Sequence, residues 1–227
     1  MYSQMDFIRP FRQRLMDCES GRENSRSMSS KLKIALVMSS TREGRLNDQV
    51  ARFVEHAIKK NHKVEVIDPA TIDFPQTQQS LNFMFNPTAV PENIKELNDK
   101  MKEFDAFVIV CAEYNFSLPP PLANLFDNIP PASLVWKPCG FVNYAIGPLG
   151  GCRVGVHLRT FTGALGMISV PNQMSIPHAH ERINKDGTTK DKKLTEDLDF
   201  LLQHVYWAAY ALKNHKVNEK PPPWAPF

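Results

Sequence analysis

The chain has 227 residues, a length typical of one globular domain with extensions or of two small domains. Hydrophobic residues make up 42% and charged residues 22%, as in ordinary soluble proteins, and no apolar run approaches the roughly 18–20 residues of a membrane span. The net charge of +3 is small and dispersed, which argues against a nucleic-acid-binding protein.

The first 30 residues differ in composition from the rest of the chain. They carry five arginines but also four acidic residues, and they lack the apolar stretch of a secretory signal. Mitochondrial transit peptides contain few acidic residues, so a targeting role is the weaker alternative. We therefore predict that residues 1–30 form a flexible N-terminal extension.

After this extension the sequence alternates between strand and helix patterns. Residues 31–38 are apolar and β-branched, and residues 62–68 alternate as a second strand. Between them, residues 47–60 place apolar side chains at helical spacing. Residues 69–91 contain four prolines and are predicted as a loop, and residues 91–104 as the next helix.

The second half of the chain continues the alternation. Residues 105–112 form an uninterrupted apolar run, which is typical of a central parallel strand buried on both faces. A helix over 119–128, a strand over 139–146 and a helix over 150–165 are predicted to follow. The segment GMISVPNQM, residues 166–174, is the predicted fifth strand.

A long helix closes the predicted domain. It is expected to begin with Thr195 as its N-cap, and a proline-rich tail over 216–227 follows it, either packed or free. Alternation repeated five times predicts an α/β fold in which a doubly wound, five-stranded parallel sheet lies within a three-layer α/β/α sandwich. We place this domain over residues 31–215.

The loop after the first strand has the composition of a phosphate site. Its sequence SSTREGR, residues 39–45, offers hydroxyls, two arginines and the N-terminus of a helix. It lacks both GxGxxG and GxxxxGK[ST], which favours a phosphomonoester over a dinucleotide or a nucleoside triphosphate. The alternative is an ordinary polar loop whose arginines face solvent.

Two further loops follow predicted strands. Residues 113–115, Glu-Tyr-Asn, offer an aromatic ring and amides that suit a flat polar heterocycle, or else they simply cap the strand. Residues 143–151 contain three of the ten glycines, which would let the backbone approach a flat ligand, or else they form a flexible connection. Ligands of open α/β sheets bind where such loops meet.

These loops together resemble the NADPH-dependent FMN reductase family, flavodoxin-like proteins that include quinone, azo-dye and chromate reductases. SSTREGR is similar to the family's GSxRxxR/S loop, CAEYNFSLPPPLANLFDNI to PEYNxSxPxxLKNxxD, and WKPCGFVNYAIGPLGGCR to WxxKPvxivSYGxxGGxRA. The resemblance covers roughly residues 31–212. The chain departs from the family pattern at Ser39, Ala112, Ala123, Asn143 and Ala145.

The resemblance implies that FMN is the cofactor and that NADPH or NADH is the co-substrate. The residues implied to hold its phosphate are Ser40, Thr41, Arg42, Arg45 and Asn47. Those implied to line or close over its ring are Glu113, Tyr114, Asn115, Phe116, Tyr144, Gly147, Gly150 and Gly151. The flavin carries the hydride chemistry, so no catalytic side chain is expected.

The same resemblance implies ping-pong reduction of a quinone-like acceptor by a homodimer or tetramer. In such a dimer, the helix after Glu-Tyr-Asn would lie at the interface. Two alternatives stay open: a flavin-binding electron carrier or redox-responsive interaction protein with little turnover, and a doubly wound domain that has lost FMN. Oxidation of NAD(P)H with a quinone separates the first alternative from the enzyme.

Cysteine and histidine spacing gives no sign of a metal. Neither a CxxC motif nor another metal spacing connects the four cysteines, Cys18, Cys111, Cys139 and Cys152. This pattern favours reduced thiols and a cytoplasmic location. His178 and His180 form an HxH pair, but no third ligand lies within reach in sequence, so we expect no metal site.

Overall fold

A computed structural model describes residues 30–73, 76–77 and 90–224 of the chain. The predictions for the N-terminal extension, for Cys18, for much of the proline-rich loop and for the last three residues lie outside these ranges. The strands and helices predicted for the rest of the chain lie almost wholly within the described ranges.

Six strands of the described chain form one parallel sheet. They are β1 (Lys33–Met38), β2 (Lys63–Ile67), β3 (Ala106–Ala112), β4 (Pro138–Tyr144), β5 (Ile168–Ser169) and β6 (Met174–Ile176). The order is β2-β1-β3-β4-β5, and β6 also pairs with β4. This order is that of flavodoxin-like folds, and it reverses between β1 and β3. The predicted flavodoxin-like, doubly wound sheet is therefore confirmed.

Helices cover both faces of this sheet. They are α1 (Asn47–Lys59), α2 (Glu92–Glu103), α3 (Pro120–Asp127), α4 (Cys152–Ala164), α5 (Ala179–Arg182) and α6 (Lys192–Asn218). The apolar sides of α1 and α6 pack on one face, and those of α2, α3 and α4 pack on the other. β3 and β4 are buried along their whole length between the two layers, as continuous apolar runs predict. The three-layer sandwich is confirmed.

The predicted fifth strand is two short strands. β5 pairs with the start of β4 and β6 with its end. The Val170 N–H still donates to the Cys139 carbonyl at 2.9 Å, and the chain leaves the sheet after Val170. Pro171 lies in this break and has no N–H with which to continue the pairing. Arg159 donates instead to the carbonyls of Val170, at 2.8 Å, and of Pro171, at 2.6 Å. The prediction of one strand over 166–174 is wrong for this reason.

The N-cap of α6 is Asp191, so the prediction of Thr195 is also wrong. The Asp191 carboxylate accepts the Leu194 N–H at 3.0 Å, which satisfies a backbone donor of the first turn. It also pairs with Arg182 at 2.7 Å, which fixes it in place. Thr195 lies inside the helix, and its hydroxyl donates to the Asp191 carbonyl.

The described part of the proline-rich tail packs onto the domain. The Trp136 indole N–H donates to the Pro222 carbonyl at 3.0 Å, and the Trp224 ring lies close to Gly166. Within the described ranges, no helix is both long and apolar enough to cross a membrane.

Asn143 on β4 is a buried amide without a partner. Its side chain is 0% exposed, and neither its Oδ1 nor its Nδ2 has a hydrogen-bond partner among the described residues. A polar group buried in this way costs about 1–3 kcal/mol. Valine has a comparable volume and favours strands. We therefore expect Asn143→Val to raise the free energy of unfolding, measured in urea, by about 1 kcal/mol.

Asn128 supplies the control for this substitution. It is also buried, but its Nδ2 donates to the Thr77 hydroxyl at 2.7 Å and to the Asn124 carbonyl at 2.8 Å. Asn128→Val should therefore lower the free energy of unfolding. An equal loss of stability in Asn143→Val would show that its amide is satisfied in solution.

Candidate active site

Three loops meet at the carboxyl ends of β1, β3 and β4. β1 and β3 are paired neighbours, with Met38 opposite Val110, and β3 and β4 pair as far as Ala112 and Tyr144. The strand order reverses between β1 and β3, which is where open α/β sheets bind ligands. All the site residues predicted from the sequence lie on these loops or at the adjoining strand and helix ends.

Asn47 forms the base of the first loop. Its side chain is 0% exposed, and its Oδ1 accepts the N–H groups of Ser39, at 2.9 Å, and Ser40, at 2.8 Å. Its Nδ2 donates to the Val110 carbonyl at 3.4 Å, which ties the loop to β3. Asn47 therefore shapes the loop from within, and the N–H groups left for an anion belong to later residues of the loop.

Ser39, which departs from the family pattern, takes part in the same network. Its hydroxyl lies 3.2 Å from Asn47 Oδ1 and accepts the Ala112 N–H at 2.9 Å. A serine at this position thus joins the ends of β1 and β3. No local pattern in the sequence indicates this role, because the partners of Ser39 lie on different elements.

Arg45 is turned into the protein and is paired with two carboxylates. Its Nη1 and Nη2 form a bidentate bridge with Asp68, at 2.7 and 2.5 Å, and its Nε donates to Asp48 at 2.8 Å. Its Nη1 also donates to the Ser40 carbonyl. The side chains of Arg45 and Asp68 are only 12% and 14% exposed. The hydrogen bond with Asp68 raises the pKa of the Arg45 guanidinium, which therefore stays charged.

Arg42 faces outward and contacts the second loop. Its Cζ lies 3.5 Å from the centre of the Tyr114 ring, a cation–π contact. The Tyr114 hydroxyl lies 2.5 Å from the Ser40 hydroxyl. Arg42 forms no ion pair with any residue in the described ranges, so its charge is available to an anion. Tyr114 therefore connects the phosphate-type loop to the loop after β3.

The second loop is a tight turn with unusual backbone geometry. Tyr114 and Ser117 exchange hydrogen bonds across the turn, at 3.1 and 2.9 Å. The two residues between them, Asn115 and Phe116, have φ values of +49° and +65°. Two consecutive non-glycine residues in the left-handed region store strain, which is common at ligand sites. The exposed Phe116 ring is covered by the Arg153 guanidinium, at 3.5 Å from its centre.

Glu113 directs its carboxylate away from this turn and toward α4. Oε2 accepts the N–H groups of Arg153, at 3.0 Å, and Val154, at 3.1 Å, in the first turn of that helix. Oε1 pairs with the Arg153 side chain at 2.9 Å. An acidic group at a helix N-terminus is favourable, and here it is only 6% exposed. The carboxylate joins the second loop to α4. Because the Glu113 N–H donates to the Tyr144 carbonyl at 3.3 Å, only the Glu113 carbonyl remains for a ligand.

In the third loop, the protein itself requires two of the three predicted glycines. Gly150 and Gly151 have φ values of +58° and +80°, and a Cβ on either would lie within 3 Å of backbone atoms. Gly147 differs, since no described atom lies within 4 Å of the position of its Cβ. Ala145 is not among the described residues with positive φ, so the backbone at this position does not require glycine. Tyr144 is buried below the loop, and burial raises the pKa of its hydroxyl.

His178 and His180, the HxH pair weighed as metal ligands, belong to no larger cluster of such side chains in the described ranges. His178 and His180 have ring centres 6.5 Å apart. The described residues contain no group of three or more His, Cys, Asp or Glu side chains that could hold a metal ion. None of the three cysteines that the structure describes is in a disulfide.

Comparison with known proteins agrees with this architecture. The quinone reductase of Escherichia coli strain K12 is 31% identical over 139 residues, which are 58% of this chain and 70% of the relative. The 2-hydroxy-1,4-benzoquinone reductase of a Burkholderia species is 25% identical over 182 residues, which are 78% of this chain and 96% of the relative.

Among solved structures, FerB from Paracoccus denitrificans, a flavoenzyme NAD(P)H:(acceptor) oxidoreductase, has a TM-score of 0.64 at 22% identity. The similarity covers 81% of this chain and 98% of FerB, and it supports the fold. The model of the NADPH-dependent FMN reductase family matches residues 32–181, more than half of the chain. The chain therefore belongs to the NADPH-dependent FMN reductase family and is an oxidoreductase that uses FMN and NAD(P)H.

Proposed function

We propose that the protein transfers electrons from NAD(P)H to a quinone-like acceptor through FMN held at the β1/β3 switch point, in a ping-pong cycle. The observation that carries this proposal is the direct contact between the first two loops through Ser40, Arg42 and Tyr114. One loop suits a phosphate and the other a flat polar heterocycle, and FMN contains both groups.

The first loop fits a phosphomonoester. Arg42 carries a charge without a carboxylate partner in the described chain, and Thr41 beside it is exposed. The N-terminus of α1 begins a few residues later and adds partial positive charge. We propose that Thr41 and Arg42 contact the phosphate oxygens. The predicted phosphate ligand Ser40 is fully buried and bonded to Asn47 and Tyr114, so it shapes the loop from behind together with Asn47 and Arg45.

The turn after β3 fits the edge of a heterocyclic ring. The N–H groups of Asn115 and Phe116 donate to no carbonyl of the described backbone, because the turn is closed by Tyr114 and Ser117 alone. They remain as donors, and the positive φ values fix their direction. We propose that these groups and Tyr114 orient the ring, while Glu113 anchors the turn to α4.

The third loop completes the proposed site. Gly147 leaves open space beside the ring, whereas Gly150, Gly151 and Tyr144 hold the loop against β4 and β6. When bound, FMN supplies the hydride chemistry, so the protein's part is to bind, orient and exclude water. No side-chain acid, base or nucleophile is assigned a step.

The acceptor, the assembly and the location are further parts of the proposal. The names of the relatives support a quinone-like acceptor. Exposed apolar side chains near the site, Ile146, Leu149 and Val156, support a homodimer or tetramer whose interface includes the third loop and α4. The place of α3 in this interface rests on the family alone. Light scattering after size-exclusion chromatography tests this assembly. Free thiols in the described chain support a cytoplasmic location.

The visible spectrum of the purified protein tests the function. Oxidised flavin absorbs at about 375 and 450 nm, and we expect both peaks to bleach within seconds of adding NADPH without oxygen. Adding a quinone should restore the peaks, and initial rates should give the parallel lines of a ping-pong cycle. Peaks that persist with NADPH would favour an electron carrier, and failure to bind added FMN would overturn the cofactor site.

A further inference from the structure

Arg45 contributes little net positive charge to the first loop. Its guanidinium contacts the carboxylates of Asp68 and Asp48, so these three side chains carry one positive and two negative charges. Arg45 and Asp68 are both mostly buried, which strengthens their interaction. A phosphate dianion beside this group would meet a net negative charge, and Arg42 would have to supply the attraction.

The same guanidinium controls the direction of a backbone donor. Arg45 Nη1 binds the Ser40 carbonyl oxygen. In a planar trans peptide the C=O and the following N–H point in opposite directions. The carbonyl turned toward Arg45 therefore aims the Thr41 N–H away from Arg45, toward the exposed side of the loop. Thr41 is one of the residues that we propose for the phosphate.

We propose that Asp68 is a positioning residue of the cofactor site, which acts on the FMN phosphate through Arg45 and the Ser40–Thr41 peptide. This inference rests on the proposed function. Asp68 lies directly after β2, outside all three loops of the site, and holds both terminal nitrogens of Arg45. Without Asp68, the guanidinium loses the bidentate contact that sets its position, and the Ser40 carbonyl loses a fixed donor.

Arg45 could position the loop, or it could bind the phosphate directly. These two roles predict opposite results for Asp68→Asn. If Arg45 bound the phosphate itself, Asp68 would compete for the guanidinium, and removing its charge would strengthen FMN binding or leave it unchanged. If Asp68 positions the loop through Arg45, the same substitution weakens FMN binding. The sign of the change in Kd therefore distinguishes the two roles.

The experiment titrates flavin with protein that has been stripped of its own flavin, and it measures the quenching of flavin fluorescence. It is done once with FMN and once with riboflavin, which lacks the phosphate. We expect Asp68→Asn to raise the Kd for FMN about tenfold, equal to about 1.4 kcal/mol, and to change the Kd for riboflavin less than about twofold. Arg45→Lys keeps the charge without the bidentate fork, so it should give a similar loss. The double variant Asp68→Asn with Arg45→Lys should have a Kd for FMN no higher than that of either single variant, because both substitutions act through one contact.

Asp191→Asn is the matched control, because it breaks another arginine–aspartate pair, with Arg182. It should lower the thermal midpoint and leave the ratio of the two Kd values unchanged. If the wild type binds FMN and Asp68→Asn has the same or a lower Kd for FMN, the inference is overturned. If Asp68→Asn does not fold, an unchanged FMN Kd in Arg45→Lys would overturn it equally. Failure of the wild type to bind FMN would instead overturn the proposed function.

Discussion

Alanine at Gly150 is expected to lower the free energy of unfolding by about 3 kcal/mol or more. The residue has φ = +58°, where a side chain costs about 1–2 kcal/mol. Its Cβ would also lie 2.5 Å from the Pro177 nitrogen and 2.7 Å from the Ile176 carbonyl carbon. Both are backbone atoms, so they cannot rotate out of the way, and the loop would have to separate from the end of β6.

Gly147→Ala is the matched control for this substitution. It lies in the same loop, has no positive φ and has no described atom within 4 Å of its Cβ position. Its stability should stay within about 0.5 kcal/mol of the wild type in urea unfolding, as is usual at unconstrained surface sites. Equal stability of the two variants would show that the loop after β4 is not packed on β6 in solution.

Replacement of Glu113 by glutamine should lower the free energy of unfolding almost as much, by about 3 kcal/mol. The carboxylate satisfies two N–H groups of the first turn of α4 and pairs with Arg153, and it is only 6% exposed. Removing one partner of a buried ion pair typically costs about 3–5 kcal/mol. The lower value is expected here because the Arg153 side chain is 40% exposed and can turn to water.

Glu103→Gln tests whether this loss reflects burial. Glu103 pairs with Lys33 at 2.7 Å, but the two side chains are 63% and 48% exposed. Solvent-exposed ion pairs contribute little to stability, so Glu103→Gln should leave the free energy of unfolding nearly unchanged. Urea unfolding of both variants without added flavin gives the comparison. A loss below about 1 kcal/mol in Glu113→Gln would mean that the α4 contact does not hold in solution.

The sheet could be predicted because its central strands are continuous apolar runs that end in polar clusters. The run over 105–112 is buried on both faces, as its composition requires. The place of the site followed from the same pattern, since the polar residues after β1 and β3 lie at neighbouring strand ends. Local composition therefore indicates which segments are buried and at which residues the buried strands end.

The partners of the site residues could not be predicted, because they depend on tertiary neighbours. Arg45 binds Asp68, which follows α1 in sequence and lies 23 residues away, and Glu113 binds Arg153 at the start of α4, 40 residues away. Nothing beside Arg45 in sequence distinguishes an arginine that faces a ligand from one that faces a carboxylate. The choice of Asp191 over Thr195 as N-cap had the same origin, since Arg182 holds the aspartate.

The two edges of the sheet restrict how copies of this protein can associate. On one edge, β5 and β6 are only two and three residues long. On the other, β2 carries the exposed charges Lys63 and Glu65, and Glu65 pairs with Lys100 at 2.6 Å. Short strands and charged side chains both oppose the addition of a strand from another chain. Copies of the protein are therefore expected to associate through helix faces and not through the edges of the sheet.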